Sequence, residues 1–261
     1  MFDTSKYTPE ERDGSAVKSA IDIDSLANVC RDNAPWNDTR DWHDVAGKIV
    51  AIIQEECQLH RKIMIPRLYS KIRRRAGMES QLALRIVEYL ERNHFIKDNS
   101  SLLKSTILEN ERRNNIFQEI VKYPGTYFNL LKVKTGSGSK ILEHHLTVLT
   151  EFGFVFEETM NGKRCFFPVT ASKEDSWFHF FFRLDPTRKI IDVFLQNGDS
   201  NPPLLHDISK KTGMAYPLVV YHVNKLVAKN VIVFREDIDR RVYSLSKDFQ
   251  SFIKRIQNLV A

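Results

Sequence analysis

Cysteine is scarce in this chain of 261 residues: Cys30, Cys57 and Cys165 stand alone and far apart. No C-x-x-C pair exists, so neither a zinc site nor a disulfide framework is supported, and a reducing compartment is expected. Long apolar runs are missing too. The densest, SWFHFFFRL (Ser176–Leu184), is far too short to span a bilayer and contains His and Arg. The opening MFDTSKYTPEERDGSAVKSA has no apolar h-region, which argues against a signal peptide and for a cytoplasmic protein. Catalytic spacings are absent as well. KTGSGSK (134–140) echoes a phosphate loop but lacks its spacing and a preceding strand. There is no G-x-S-x-G, no H-E-x-x-H and no carboxylate pair in an apolar setting. No enzymatic activity, cofactor or metal is expected.

What is present suffices to fold. Hydrophobic residues make up 42% of the chain and aromatics 11%, which excludes a disordered protein, and the length suits two or three modules. The net charge of +6 is uneven: residues 1–45 hold 5 basic and 10 acidic side chains, which leaves 34 against 23 for the remainder. A basic body behind an acidic segment favours a polyanionic partner, nucleic acid before membrane, although a merely soluble basic surface has the same charge.

The informative feature is a repeat. Gly77, Gly136 and Gly213 each close a short basic helix: IPRLYSKIRRRAG (65–77), TYFNLLKVKTG (126–136) and PPLLHDISKKTG (202–213). Five residues on stand Leu82, Ile141 and Leu218; ten on, Val87, Leu146 and Val223; thirteen on, Leu90, Leu149 and Leu226. These offsets keep one apolar face on a helix. Nineteen on, Ile96, Val155 and Ile232 begin apolar runs past the helix stop. A further helix precedes each pair, at 47–60, 111–123 and 186–197. Two repeats end in hairpins, at 154–169 with a type I′ turn at Asn161-Gly162, and at 231–246 with a turn near Asp237–Asp239. The first has only a polar loop at Asp98–Ser101, so its wing is short or irregular. The pattern predicts a mainly α protein with small β-hairpin wings (α+β), built of three tandem winged helix–turn–helix units. The expected division is an acidic, partly disordered tail (1–44), a degenerate unit (45–108), a second unit (109–172), an aromatic linker (173–185) and a third unit with a C-terminal helix (186–261).

Pro124-Gly125, Ser139, His145-Leu146, Leu149, Gly153 and the wing KRCFFP (163–168) give the second repeat a further likeness, and Tyr221-His222-Val223 with Leu226 repeats it in the third. Over residues 110–246 the chain resembles the archaeal tandem winged helix–turn–helix transcription regulators of the MarR-like winged-helix superfamily. That resemblance implies binding of double-stranded DNA through recognition helix and wing, usually as a dimer.

Solvent-facing positions early in a recognition helix read bases, while basic wings hold phosphates. The second repeat offers Ser139, Lys140, His144 and Thr147 on its helix and Lys163 with Arg164 at its wing tip, Glu143 weakening that face. Ser139 also suits a helix cap. The first repeat offers Gln81 and Arg85, beside Arg73, Arg74 and Arg75 in HRKIMIPRLYSKIRRR (60–75), seven cations with no acid between them. The third offers Asn224, Lys225, Arg240 and Arg241, yet AYPLVVYHV is apolar for a groove-facing helix, and Val220 and Tyr221 suit a protein partner instead. Trp177, Phe178, Phe180, Phe181 and Phe182 suit a base-stacking platform or, better, a packing seam, as an inter-domain strand or dimer contact, with Trp177, Phe180 and Phe181 as interface candidates. His145 and His222 occupy equal places; a metal or pH role is outweighed by a half-buried histidine bonded to a neighbouring backbone. A second reading stays open. Tandem winged helices also serve as protein scaffolds in endosomal-sorting, chromosome-condensation and polymerase assemblies; replication initiators, a further reading, are built on them too, though no ATPase motif accompanies them here.

Overall fold

The computed structural model describes residues 21–35, 37–60, 62–198, 201–237 and 240–258. The protein is mostly helical with small antiparallel sheets, compatible with an α+β winged-helix class. Its described residues divide into two compact units, one within 21–118 and 137–156, the other within 119–136 and 157–258.

In the unit of residues 21–118 and 137–156, α1 (Ile23–Asp32) packs on α2 (Trp42–His60) and touches α4 (Ser80–Arg92); α3 (Ile65–Arg75) lies against both α2 and α4. Residues 21–44 are therefore not a tail. Asp22 caps α1 by accepting from the Asp24 amide at 3.2 Å, and Leu26, Ala27, Cys30 and Trp42 are buried in the same core as Ile49, Ile53, Leu68 and Leu82. Acidic residues on the outer face of α1 masked an apolar stripe at helical spacing. Residues 1–20 of the expected tail lie outside the described residues.

The first repeat has no hairpin among the described residues. Its chain runs from α4 through a loop into a 3-10 helix, Lys104–Glu109. What stands in for a wing is a short backbone exchange: Ile63 donates to Ser100 at 2.8 Å and accepts from Asn99 at 2.7 Å. Asp98 in the same loop accepts from the Ile65 amide at 2.9 Å, which satisfies a free donor at the start of α3. α5 (Glu111–Lys122) begins in this unit, and α7 (Ser139–Glu151) belongs to it.

The other unit contains β1 (Thr126–Tyr127), α6 (Phe128–Thr135), most of β2 (Val155–Met160) and β3 (Lys163–Pro168). The sheet order is β1-β3-β2, with Thr126 opposite Phe166. Pro124-Gly125 is where the chain turns into this sheet. Gly125 has φ 81°, its amide donates to Phe166 at 2.9 Å, and a Cβ there would meet the Phe180 amide nitrogen at 3.2 Å. Only glycine fits that corner. Asn161 and Gly162 have φ 49° and 72°, the pair of left-handed residues that a type I′ hairpin requires.

The aromatic run forms a helix, α8 (Ser176–Arg183), not a strand. Phe178 meets Phe249 and Phe252 of α12 (Lys247–Asn258) with ring centroids 5.2 and 5.4 Å apart. Between them come α9 (Asp185–Asn197), α10 (Leu205–Thr212), α11 (Tyr216–Ala228) and the hairpin β4 (Ile232–Asp237) with β5 (Arg240–Leu245), in which Ile232 faces Leu245. The turn expected near Asp237–Asp239 falls on residues 238 and 239, outside the described residues.

The three repeats agree in backbone detail. Gly77, Gly136 and Gly213 are all left-handed, at φ 62°, 61° and 69°. Three residues after each, a helix of 13 residues begins, at Ser80, Ser139 and Tyr216. Seventeen after, His94, Gly153 and Asn230 are left-handed again, at φ 59°, 65° and 55°. The next amides, of Phe95, Phe154 and Val231, donate to Leu90, Leu149 and Leu226, each at 2.9 Å. This is one Schellman ending used three times.

Candidate nucleic-acid interface

On α7 the side chains of Leu142, His145, Leu146 and Leu149 are buried, which turns the opposite face to solvent. Ser139, Lys140, His144 and Thr147 are exposed there, together with Ile141, while Glu143 is half-buried at the edge. The N-cap is Gly138 with no side-chain bond, so Ser139 is not a cap; its hydroxyl is on the first helical residue, facing water. The face thus offers one ammonium, one imidazole and two hydroxyls, a set able to hydrogen-bond base edges or phosphates.

His145, beneath that face, is 7% exposed, and its Nδ1 has no hydrogen-bond partner among the described residues. The expected bond to a neighbouring backbone is not made by this nitrogen. Burial, and then the charges of Arg113, His144 and Arg112, hold its pKa below the usual histidine value. His222 at the matching place on α11 is also lowered, by burial and by Lys225. Among the described residues no group of His, Cys, Asp and Glu could hold a metal. The Cys30 and Cys165 thiols are buried and pushed up to about 11, so they stay protonated.

The basic stretch at 60–75 is less free than its sequence indicates. Acids from α2, one helix back, neutralise part of it. Glu56, wholly buried, accepts from Arg67 Nε at 2.8 Å and has Lys71 Nζ 2.5 Å away. Glu55 pairs with Arg75 at 2.5 Å and Lys71 at 3.4 Å. Arg73 and Arg74 are exposed with no ion pair among the described residues, whereas Arg61 lies outside them. On α4, Gln81 is exposed, while Arg85 donates to Asn33 beside α1 at 2.9 Å. Arg75 and Arg85 are therefore engaged by side chains of other elements. Among the described residues Arg73 and Arg74 donate only to Ser80 Oγ at 3.4 Å and the Ser70 carbonyl at 3.3 Å, and with Gln81 they are the presented members of that group.

In the other unit, the β2–β3 hairpin carries Lys163 with its ammonium 4.3 Å above the Tyr127 ring. Arg164 forms a two-pronged pair with Glu157, at 2.7 and 2.8 Å, which lowers its share in any phosphate contact. Phe180 and Phe181 are each 1% exposed, so these rings fill the core of their own unit and present nothing to a partner; Trp177 is half-buried, with Lys229 Nζ 4.0 Å from its ring. On α11, Tyr221 and Asn224 are exposed, and Val220 and Lys225 half-buried. Arg241 is exposed; the side chain of Arg240 lies outside the described residues.

A mainly helical α+β chain with helix–turn–helix segments and small hairpins is the class these features define. No family model matches the chain. Over 161 residues, or 61% of its length, it is 22% identical to an uncharacterized HTH-type transcriptional regulator of Methanocaldococcus jannaschii. The chain spans 40% of that relative's length. No helix among the described residues is long and apolar enough to cross a membrane.

Proposed function

We propose that this protein is a DNA-binding transcriptional regulator, cytoplasmic and without enzymatic activity, built of three tandem winged-helix modules of which the first lacks its wing. The observation that carries the reading is the exposed face of α7, with Ser139, Lys140, His144 and Thr147 turned to solvent. Lys163 and Arg73 with Arg74 supply phosphate contacts, and the likeness to an archaeal HTH-type transcriptional regulator supports the same partner. Self-association into a dimer follows the resemblance seen in residues 110–246.

The test is fluorescence polarisation of a labelled duplex at two salt concentrations. Affinity should fall with salt, since each neutralised phosphate releases close to one counterion. Lys163→Ala should lower the salt slope by about one and weaken all sequences alike. Lys140→Ala or His144→Ala should act mainly on a preferred site. Absence of salt-dependent duplex binding at low ionic strength would displace this reading in favour of a protein scaffold.

A further inference from the structure

The third repeat presents a different face from the second. On α11 the exposed residues include Tyr216, Leu218 and Tyr221, at 48%, 43% and 52%, where α7 presents hydroxyls, an ammonium and an imidazole. In the adjoining strand β4, Phe234 is 42% exposed. Two of these rings carry a cation: Lys225 Nζ lies 4.5 Å from the centroid of Tyr221, and the Arg241 guanidinium 4.8 Å from that of Phe234. Arg241 also approaches Glu236 at 3.7 Å, so it sits at the rim of the acidic hairpin end. From Ile208 to Arg235 the chain contains no carboxylate and five cations, Lys210, Lys211, Lys225, Lys229 and Arg235.

Aromatic side chains cannot read a duplex as α7 would. In a double helix the ring faces of the bases are covered by their neighbours, and only edges reach the groove, where hydrogen-bonding side chains are needed. Asn224 is the one amide on α11. Unpaired bases expose their faces, and any base stacks on an aromatic ring while nearby cations hold the phosphates. A protein-docking seam would share the rings and the arginine but not the lysines, which are depleted from interface cores. Here cations lie beside the rings, and α11 itself has no acid to repel a polyanion; Glu236 and Asp237 lie at the hairpin edge, where Glu236 faces Arg241.

We propose that the third helix–turn–helix module binds single-stranded nucleic acid, with bases stacked on Tyr216, Tyr221 and Phe234 and phosphates held by Lys225 and Arg241. The proposal uses no residue of α7 and does not depend on duplex binding there.

The experiment compares a labelled 20-nucleotide single strand with the duplex of the same sequence, on the full chain. Tyr221→Ala and Phe234→Ala should each weaken single-strand binding by roughly tenfold and leave the duplex within about twofold. Lys140→Ala should do the reverse. All three sites are exposed, and unchanged circular dichroism would establish that the variants fold. Tyr221→Leu, which keeps apolar area but removes the ring, should lose binding as Tyr221→Ala does. Single-strand affinity unaltered by the ring substitutions would overturn the proposal. So would light scattering in which those substitutions dissolve a dimer, since the face would then be a contact between copies.

Discussion

Arg67 Nε donates to Glu56 at 2.8 Å although the Glu56 side chain is entirely shielded from water, and Lys71 lies 2.5 Å from the second carboxylate oxygen. Burial pushes this carboxyl up, and the hydrogen bonds and charges of Lys71 and Arg67 more than offset it, so its pKa lies below the usual value. Glu56 thus fastens α3 to α2, and with them the first helix–turn–helix to its supporting helix.

Glu56→Gln should destabilise the protein by about 2 kcal/mol. A fully buried pair broken on one side costs roughly 3–5 kcal/mol, and here Arg67 and Lys71 keep one side in water. The contribution is present above the ordinary carboxylate pKa and is lost as the pH falls through the lowered folded value. Urea denaturation at neutral and acidic pH measures both effects, and a variant as stable as the parent at neutral pH would show the pair to be idle.

Leu26→Ala tests the docking of α1. Leu26 is 0% exposed in the core shared with Ile49 and Leu82. The loss should be about 3 kcal/mol, within the range for buried leucines. A denaturation midpoint that does not move would mean that α1 contributes no core.

The helix–turn–helix segments were legible because their determinants are local. Glycine at a left-handed turn, apolar residues at fixed offsets and a helix stop are all read within about twenty residues. The Asn161-Gly162 turn was legible for the same reason. What was not legible came from elsewhere in the chain. Glu55 and Glu56 neutralise Lys71, Arg75 and Arg67 across a helix boundary, and a charge count along 60–75 does not register them. The helical form of α8 was hidden because SWFHFFFR is apolar on nearly every side, so neither a two-residue nor a 3.6-residue period stands out. Glu157 on Arg164 is a cross-strand pair, visible only once the register is known.

Two histidines, His145 buried and His222 half-buried, make stability fall with falling pH, the same direction as Glu56. His145 and His222 have folded-state pKa values below the ordinary value, each mainly through burial. Their contribution is complete above the ordinary histidine value, ~6.5, and falls as the pH drops from there towards the folded values. His145→Leu with His222→Leu should flatten the loss of stability between about pH 7 and pH 5. Melting temperatures across that interval check it. The same slope in parent and variant would assign the effect to other groups.

His94 and Gly153 occupy the same place in the first and second repeats, seventeen residues past Gly77 and Gly136, and the two positions touch. A Cβ built on Gly153 would fall 2.8 Å from the His94 ring. Gly153 is therefore constrained twice, by its φ of 65° and by this neighbour. Gly153→Ala should cost about 1–2 kcal/mol for the left-handed backbone alone, and more because the imidazole must move aside. The second part can be isolated. With His94→Ala in place, the ring is gone and only the backbone cost should remain, so the double-mutant cycle should give a coupling of roughly 0.5–1 kcal/mol. His94→Ala keeps its own left-handed residue non-glycine, and that cost cancels between the two arms of the cycle. Chemical denaturation of the four proteins supplies the numbers. Strict additivity would mean that the ring swings away freely and that glycine is required at 153 by its backbone angle and nothing else.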